Sequence, residues 1–153
     1  MIRLIFLFLL IVFLALMQRF GFSILDVRPD IALIGLIASS FWLEDIWEGV
    51  SLASLGALIL KSNSTLDSGA LTFFLIAIIA VIIAKRSPWH SFISAILMFI
   101  LGTIIFYGVL ARELLFSFVF AKELILNVAI GIAIFALLDG LWENESIDIS
   151  FRG

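Results

Sequence analysis

Leu75-Ile76-Ala77-Ile78-Ile79-Ala80-Val81-Ile82-Ile83 is an unbroken apolar run. It shows none of the polar–apolar alternation that marks the strands of a membrane barrel. In hydrocarbon the backbone N–H and C=O groups must be satisfied within the segment, and a helix does that by itself. The run therefore reads as the centre of a spanning helix that occupies Ala70–Ala84 with its flanks and is closed by Lys85-Arg86-Ser87-Pro88.

The same reading extends outward in both directions. Charges and turn residues mark off five more apolar blocks: Leu4–Phe22, Pro29–Leu43, Ile46–Leu60, Trp89–Leu110 and Leu124–Leu141. A spanning helix needs about 20 mostly apolar residues, within a range of about 17–25. The first, fifth and sixth blocks meet that length, and the fourth meets it with its flanks. The second and third are short, so a re-entrant hairpin is the alternative to two full spans. The expectation is an all-α integral membrane protein with six transmembrane helices. Residues 1–143 form one domain, a polar tail occupies 144–153, and both termini lie on the same side.

Composition agrees. Of the 153 residues, 64% are hydrophobic and 14% charged, against about 25% charged in a soluble domain; the mean hydropathy is +1.30. An apolar surface of that extent calls for lipid or a partner. There is no cysteine, which excludes a disulfide framework, a thiolate metal site and a cysteine nucleophile. A net charge of −3 scattered between apolar blocks offers nucleic acid no basic patch. Arg3 followed by Leu4–Met17 has the outline of a signal peptide. The Gln18-Arg19-Phe20-Gly21-Phe22 that follows lacks a small-residue cleavage site, so the segment reads as a retained helix.

With six spans, Arg3, Lys85, Arg86 and Arg152 fall on one side and Arg19, Arg28, Lys61, Arg112 and Lys122 on the other. The count decides nothing. The Lys85-Arg86 pair in a short loop and Arg3 beside the amino terminus place both termini in the cytoplasm. Trp42, Trp47, Trp89 and Trp142 all fall at block boundaries, as interfacial tryptophans do.

Several residues stand out as candidates for packing or recognition. Gly49, Ala53 and Ala57 form a small-residue stripe at helical spacing, with Gly56 beside it, and Gly35 and Ser39 lie four apart. Such stripes let helix backbones approach closely, either within the chain or with a partner's helix. Arg28-Pro29-Asp30 suits a helix start, with Pro29 in the first turn and Asp30 as a cap favoured by the dipole. The alternative is a polar contact that orients the first two helices or receives a partner. Asp67-Ser68-Gly69 supplies an N-cap for the fourth helix, and Lys61 is placed to snorkel toward headgroups. Asn127, among leucines and isoleucines, suits a hydrogen bond to a neighbouring helix or to a ligand.

The catalytic inventory is thin. His90 is the single histidine, and Asp30 with His90 is the only acid–base pair to nominate. There is no Glu-x-x-His pair, no Gly-x-Ser-x-Gly elbow and no glycine-rich phosphate loop. No ionisable residue is expected deep in a span, which disfavours pumps and proton-coupled transport. Neither a cofactor nor a metal is expected.

The order of these motifs resembles that of the rod-shape-determining MreD family over Val27–Leu141. Pro29-Asp30 followed by Ile31-Ala32-Leu33-Ile34 resembles the Pro-Asp pair that opens the family's second helix. The Trp47-Glu48-Gly49 to Leu55-Gly56-Ala57-Leu58 segment is similar to its small-residue-rich third helix. Leu66-Asp67-Ser68-Gly69-Ala70-Leu71 stands for the polar loop, Ala84-Lys85-Arg86 for the basic turn, and Leu126-Asn127-Val128-Ala129 for the last helix. The chain departs from the pattern at Lys61-Ser62 and in its acidic, polar tail. The resemblance implies a non-catalytic scaffold of the bacterial elongation machinery in the inner membrane. Its partners would be an MreC-like bitopic protein, other elongation-complex subunits and the bilayer. It also implies a fold similar to the substrate-binding subunits of energy-coupling-factor transporters, which makes a vitamin-binding subunit the rival reading.

Overall fold

The helices of this chain start and stop where side chains or glycines take over the unpaired backbone groups of their ends. The computed structural model describes residues 2–24, 26–61, 67–86 and 90–150, with the backbone alone for 143–150. Six α-helices lie among the described residues: α1 Ile2–Arg19, α2 Ile31–Ser39, α3 Ile46–Leu60, α4 Ser68–Arg86, α5 Ser91–Leu110 and α6 Phe118–Ser150. The Asn63–Thr65 polar stretch, Leu66, Pro88 and Trp89 fall outside the described residues.

α1 ends at Gly21, whose φ of 81° fits a residue without a Cβ. Phe22 N–H donates to the Met17 carbonyl at 3.1 Å and Gly21 N–H to that of Gln18 at 3.1 Å, the paired bonds of a Schellman stop. Ile24 and Val27 then exchange backbone bonds of 2.8 and 3.0 Å around Asp26, which sits at φ 64°. This turn returns the chain into α2, which a short 3-10 turn, Ser40–Trp42, extends. α3 opens on a capping box of Asp45 and Glu48. Asp67 caps α4, its Oδ1 accepting from Ala70 N–H at 2.7 Å, as its position in the sequence suggests.

Among the described residues, four helices are long and apolar enough to cross a membrane: α1, α4, α5 and the Phe118–Trp142 part of α6. α2 with its 3-10 turn and α3 are shorter. They touch each other only slightly. α3 packs against α1 and α4, whereas α2 lies against α1 and α6. Every residue of α2 is buried. The outer helices enclose it and turn large apolar side chains outward, as α1 does with Ile5, Leu9, Phe13 and Leu16.

α6 differs from the expected block. It begins at Phe118 rather than Leu124 and runs to Ser150 rather than ending at Leu141. The hydroxyl of Ser117 accepts from Phe120 N–H at 3.1 Å and starts the helix early. Lys122-Glu123 carry charge, but charged residues are good helix formers and do not end a helix.

The helices alternate in direction. Arg3 at the head of α1 pairs with Glu44 at 2.7 Å, the Lys85 ammonium donates to the Leu43 carbonyl, and Trp142 meets Phe6 in a T-shaped contact and Trp42 at a tilt. These contacts gather one end of the bundle. At the other end Arg19 donates to the Ile59 carbonyl at 2.9 Å, and the starts of α2 and α6 meet the ends of α1 and α5.

The small residues are spent inside the bundle. A Cβ on Gly49 would lie 2.5 Å from Val81, and one on Gly56 2.9 Å from the Phe73 ring. One on Gly35 would lie 2.2 Å from Leu14. Ala53 is fully buried, and Ala57 packs half-buried against the core. Close approach of α3 to α4, and of α2 to α1, is what these positions provide.

Candidate polar site at the α2 and α6 starts

A chain of polar side chains runs between four helices near the Arg19 end. Gln18, in the last turn of α1, has its amide aimed at the start of α2. Its Oε1 accepts from Ala32 N–H at 2.9 Å and its Nε2 donates to Asp30 Oδ1 at 2.8 Å. Asp30 occupies the N-cap position, yet its side chain makes no cap bond. Gln18 does the capping instead, and the expected Asp30 cap is corrected to a contact that orients α1 against α2.

Asp30 N–H in turn donates to Asn127 Oδ1 at 3.0 Å, across 97 positions of sequence. Asn127 Nδ2 donates to Thr103 Oγ1 at 3.1 Å, and the Thr103 hydroxyl donates to the Phe99 carbonyl one turn back, at 2.8 Å. Asn127 thus joins α2, α5 and α6 and is fully buried. One turn toward the bundle end, the Tyr107 hydroxyl donates to Glu123 Oε2.

Asp30 and Glu123 are both buried, at 6% exposure each. Neither sits in the middle of its helix: Asp30 is the N-cap of α2 and Glu123 lies in the second turn of α6. Glu123 lies one helical turn before Asn127 on α6, and Asn127 bonds Asp30 N–H, so the two carboxyl groups share one hub. Asp30 Oδ2 is buried and meets no hydrogen-bond donor among the described residues.

No family model, curated protein or solved structure matches this chain.

Asp30 and Asn127 come together at this site, with Pro29 buried beside them. Gly35, Ser39, Gly49, Ala53, Gly56 and Ala57 lie in helix contacts away from it, and Ser39 donates to the Gly35 carbonyl at 2.7 Å. Asp67 lies in a separate cavity of about 670 Å³ between α1, α3, α4 and α5, which Gln18, Arg19, Phe73 and Phe106 also line. His90 lies at the opposite end of the bundle from Asp30. There it caps α5 and lines a cavity of about 420 Å³ with Trp42, Phe135 and Asp139. The nominated Asp30–His90 pair is therefore not assembled.

Glu123, Gln18 and the facing role of Tyr107 escape sequence reasoning. Arg112-Glu113 and Lys122-Glu123 read as the brackets of a short apolar linker between the fifth and sixth blocks. The available signal was spacing. Glu123 and Asn127 are four apart, as are Thr103 and Tyr107, so each pair shares a helix face. Most other hydroxyls in the helices are satisfied locally. Ser40, Ser51, Ser54 and Thr72 all donate to carbonyls three or four residues back. Among the described residues, no three His, Cys, Asp or Glu side chains gather as a metal ligand set.

Proposed function

We propose that this chain is a non-catalytic scaffold subunit of a bacterial rod or elongation complex, of the MreD kind. In this reading all six helices cross the inner membrane, in a fold similar to the substrate-binding subunits of energy-coupling-factor transporters. Both termini face the cytoplasm, and an MreC-like bitopic protein binds the bundle. The observation that supports it is the 3.0 Å bond between Asp30 and Asn127. The two residues belong to the first and last motifs on which the family resemblance rests, and they meet at one structural hub. Motifs that recur in order because they hold a fold together would be expected to converge in this way. Polar bonds between helices are a main source of specificity where lipid removes the hydrophobic drive for association.

Affinity purification of the full chain from membranes, in mild detergent, tests the reading. An MreC-like single-span protein should co-purify, and depletion of the chain should turn rods into spheres. Normal cell shape after depletion, with no such partner retained, would overturn it.

The 670 Å³ cavity favours a second reading, a vitamin-binding transporter subunit, because its size suits a small ligand and Gln18, Arg19 and Asp67 supply polar groups. A small molecule released from the purified chain on denaturation, and identified by mass spectrometry, would favour that reading over the scaffold.

A further inference from the structure

The most demanding feature of the molecule is the Asp30–Glu123 pair. Two carboxylates are buried between helices, and among the described residues no lysine or arginine forms an ion pair with either. Buried charge persists when it is paired or when it coordinates an ion. Gln18 supplies one amide donor to Asp30, and Tyr107 one hydroxyl donor to Glu123. Neither donor carries charge. Asn127 turns its carbonyl oxygen, not its amide, toward Asp30 N–H. That leaves Asp30 Oδ2 as a buried acceptor with nothing to accept from.

We propose that Asp30 and Glu123 form a binding site for a small monovalent cation of the sodium class. The ligands would all be oxygen: Asp30 Oδ2 and the Glu123 carboxylate, with the Tyr107 hydroxyl orienting Glu123 and Thr103 and Asn127 supporting the hub. Hard cations take such ligands. A transition metal would want imidazole or thiolate. His90 is at the other end of the bundle, and there is no cysteine.

The site is buried between helices near the Arg19 end, where Asp30 bonds Gln18 in the last turn of α1. An ion held there would neutralise buried charge. Gln18, which bonds Asp30, also lines the neighbouring 670 Å³ cavity. Cation binding at this point would tie α2 to α5 and α6 and stiffen the hub.

The test uses the full chain purified in detergent. Thermal unfolding is followed in sodium chloride and in choline chloride at equal ionic strength, with saturation binding of radioactive sodium in parallel. The expected result is a sodium-dependent rise in Tm and saturable binding, both lost in Asp30→Asn and Glu123→Gln. Tyr107→Phe keeps the packing and removes one oxygen. It should fold and bind sodium about 10–100-fold more weakly, as loss of an orienting partner does, which keeps the test open if the carboxylate variants fail to fold. Equal Tm in the two salts with no saturable binding would overturn the proposal. So would sodium binding that survives Asp30→Asn or is unchanged in Tyr107→Phe. Stabilisation that follows pH alone, with no sodium dependence, would also overturn it and assign a proton to the pair.

Discussion

At the scale of single residues, Asn127 and Gly49 carry opposite kinds of cost. Asn127 closes two interhelical bonds, to Asp30 N–H and Thr103. Polar bonds between membrane helices are worth about 0.6 kcal/mol on average and about 1.7 at most. Asn127→Ala should therefore destabilise the bundle by about 1–2 kcal/mol, measured by reversible unfolding in mixed micelles. At Gly49 the problem is space. A Cβ there would lie 2.5 and 2.7 Å from the two methyls of Val81, and a β-branched side chain has little rotamer freedom in a helix. Overpacking costs about 1–3 kcal/mol, so Gly49→Ala should lower stability by that amount and Val81→Ala should recover part of it. Gly108→Ala is the control. A Cβ there meets nothing within 4 Å, and the change should be neutral or slightly stabilising.

At the scale of elements, α2 decides the architecture. It is nine residues long and wholly buried, so the other helices, not lipid, surround it. A carbene photolabel dissolved in the bilayer and mapped by mass spectrometry should mark Leu9, which is 64% exposed on the outward face of α1, and spare Leu36 in α2. Comparable labelling at the two positions would deny α2 its central place. Most helices were legible in the sequence because apolar blocks and polar punctuation coincide, as at Ile46–Leu60, whose bounds agree. The hub was not. Lys122-Glu123 looks like a loop boundary, and only the third dimension shows that Glu123 turns inward to Tyr107. Pro29-Asp30 was legible as a helix start, but not that Gln18 would do the capping, because that bond joins residues in different helices. Asn127 was legible as an interhelical donor or acceptor, since a lone amide among leucines and isoleucines has few other ways to be satisfied.

At the scale of the whole molecule, one end of the bundle is closed by aromatic packing and the other carries the polar hub. Trp42, Phe135 and Trp142 pack at the first end, with Trp42 and Phe135 centroids 4.6 Å apart in a T-shaped contact. Gln18, Asp30, Glu123 and Asn127 cluster toward the second. The account depends on this asymmetry lying across a membrane, with even the short helices α2 and α3 passing from one side to the other. Single cysteines at Glu44 and Arg86 report the first end, and single cysteines at Arg28, Lys61 and Glu113 report the second. The direct measurement is labelling by an impermeant maleimide in intact cells and in inverted vesicles. Glu44→Cys and Arg86→Cys should label only in inverted vesicles, and Arg28→Cys, Lys61→Cys and Glu113→Cys only from outside. If Glu44→Cys labelled from the same side as Arg28→Cys and Lys61→Cys, α2 and α3 would not cross, and the six-helix account would be wrong.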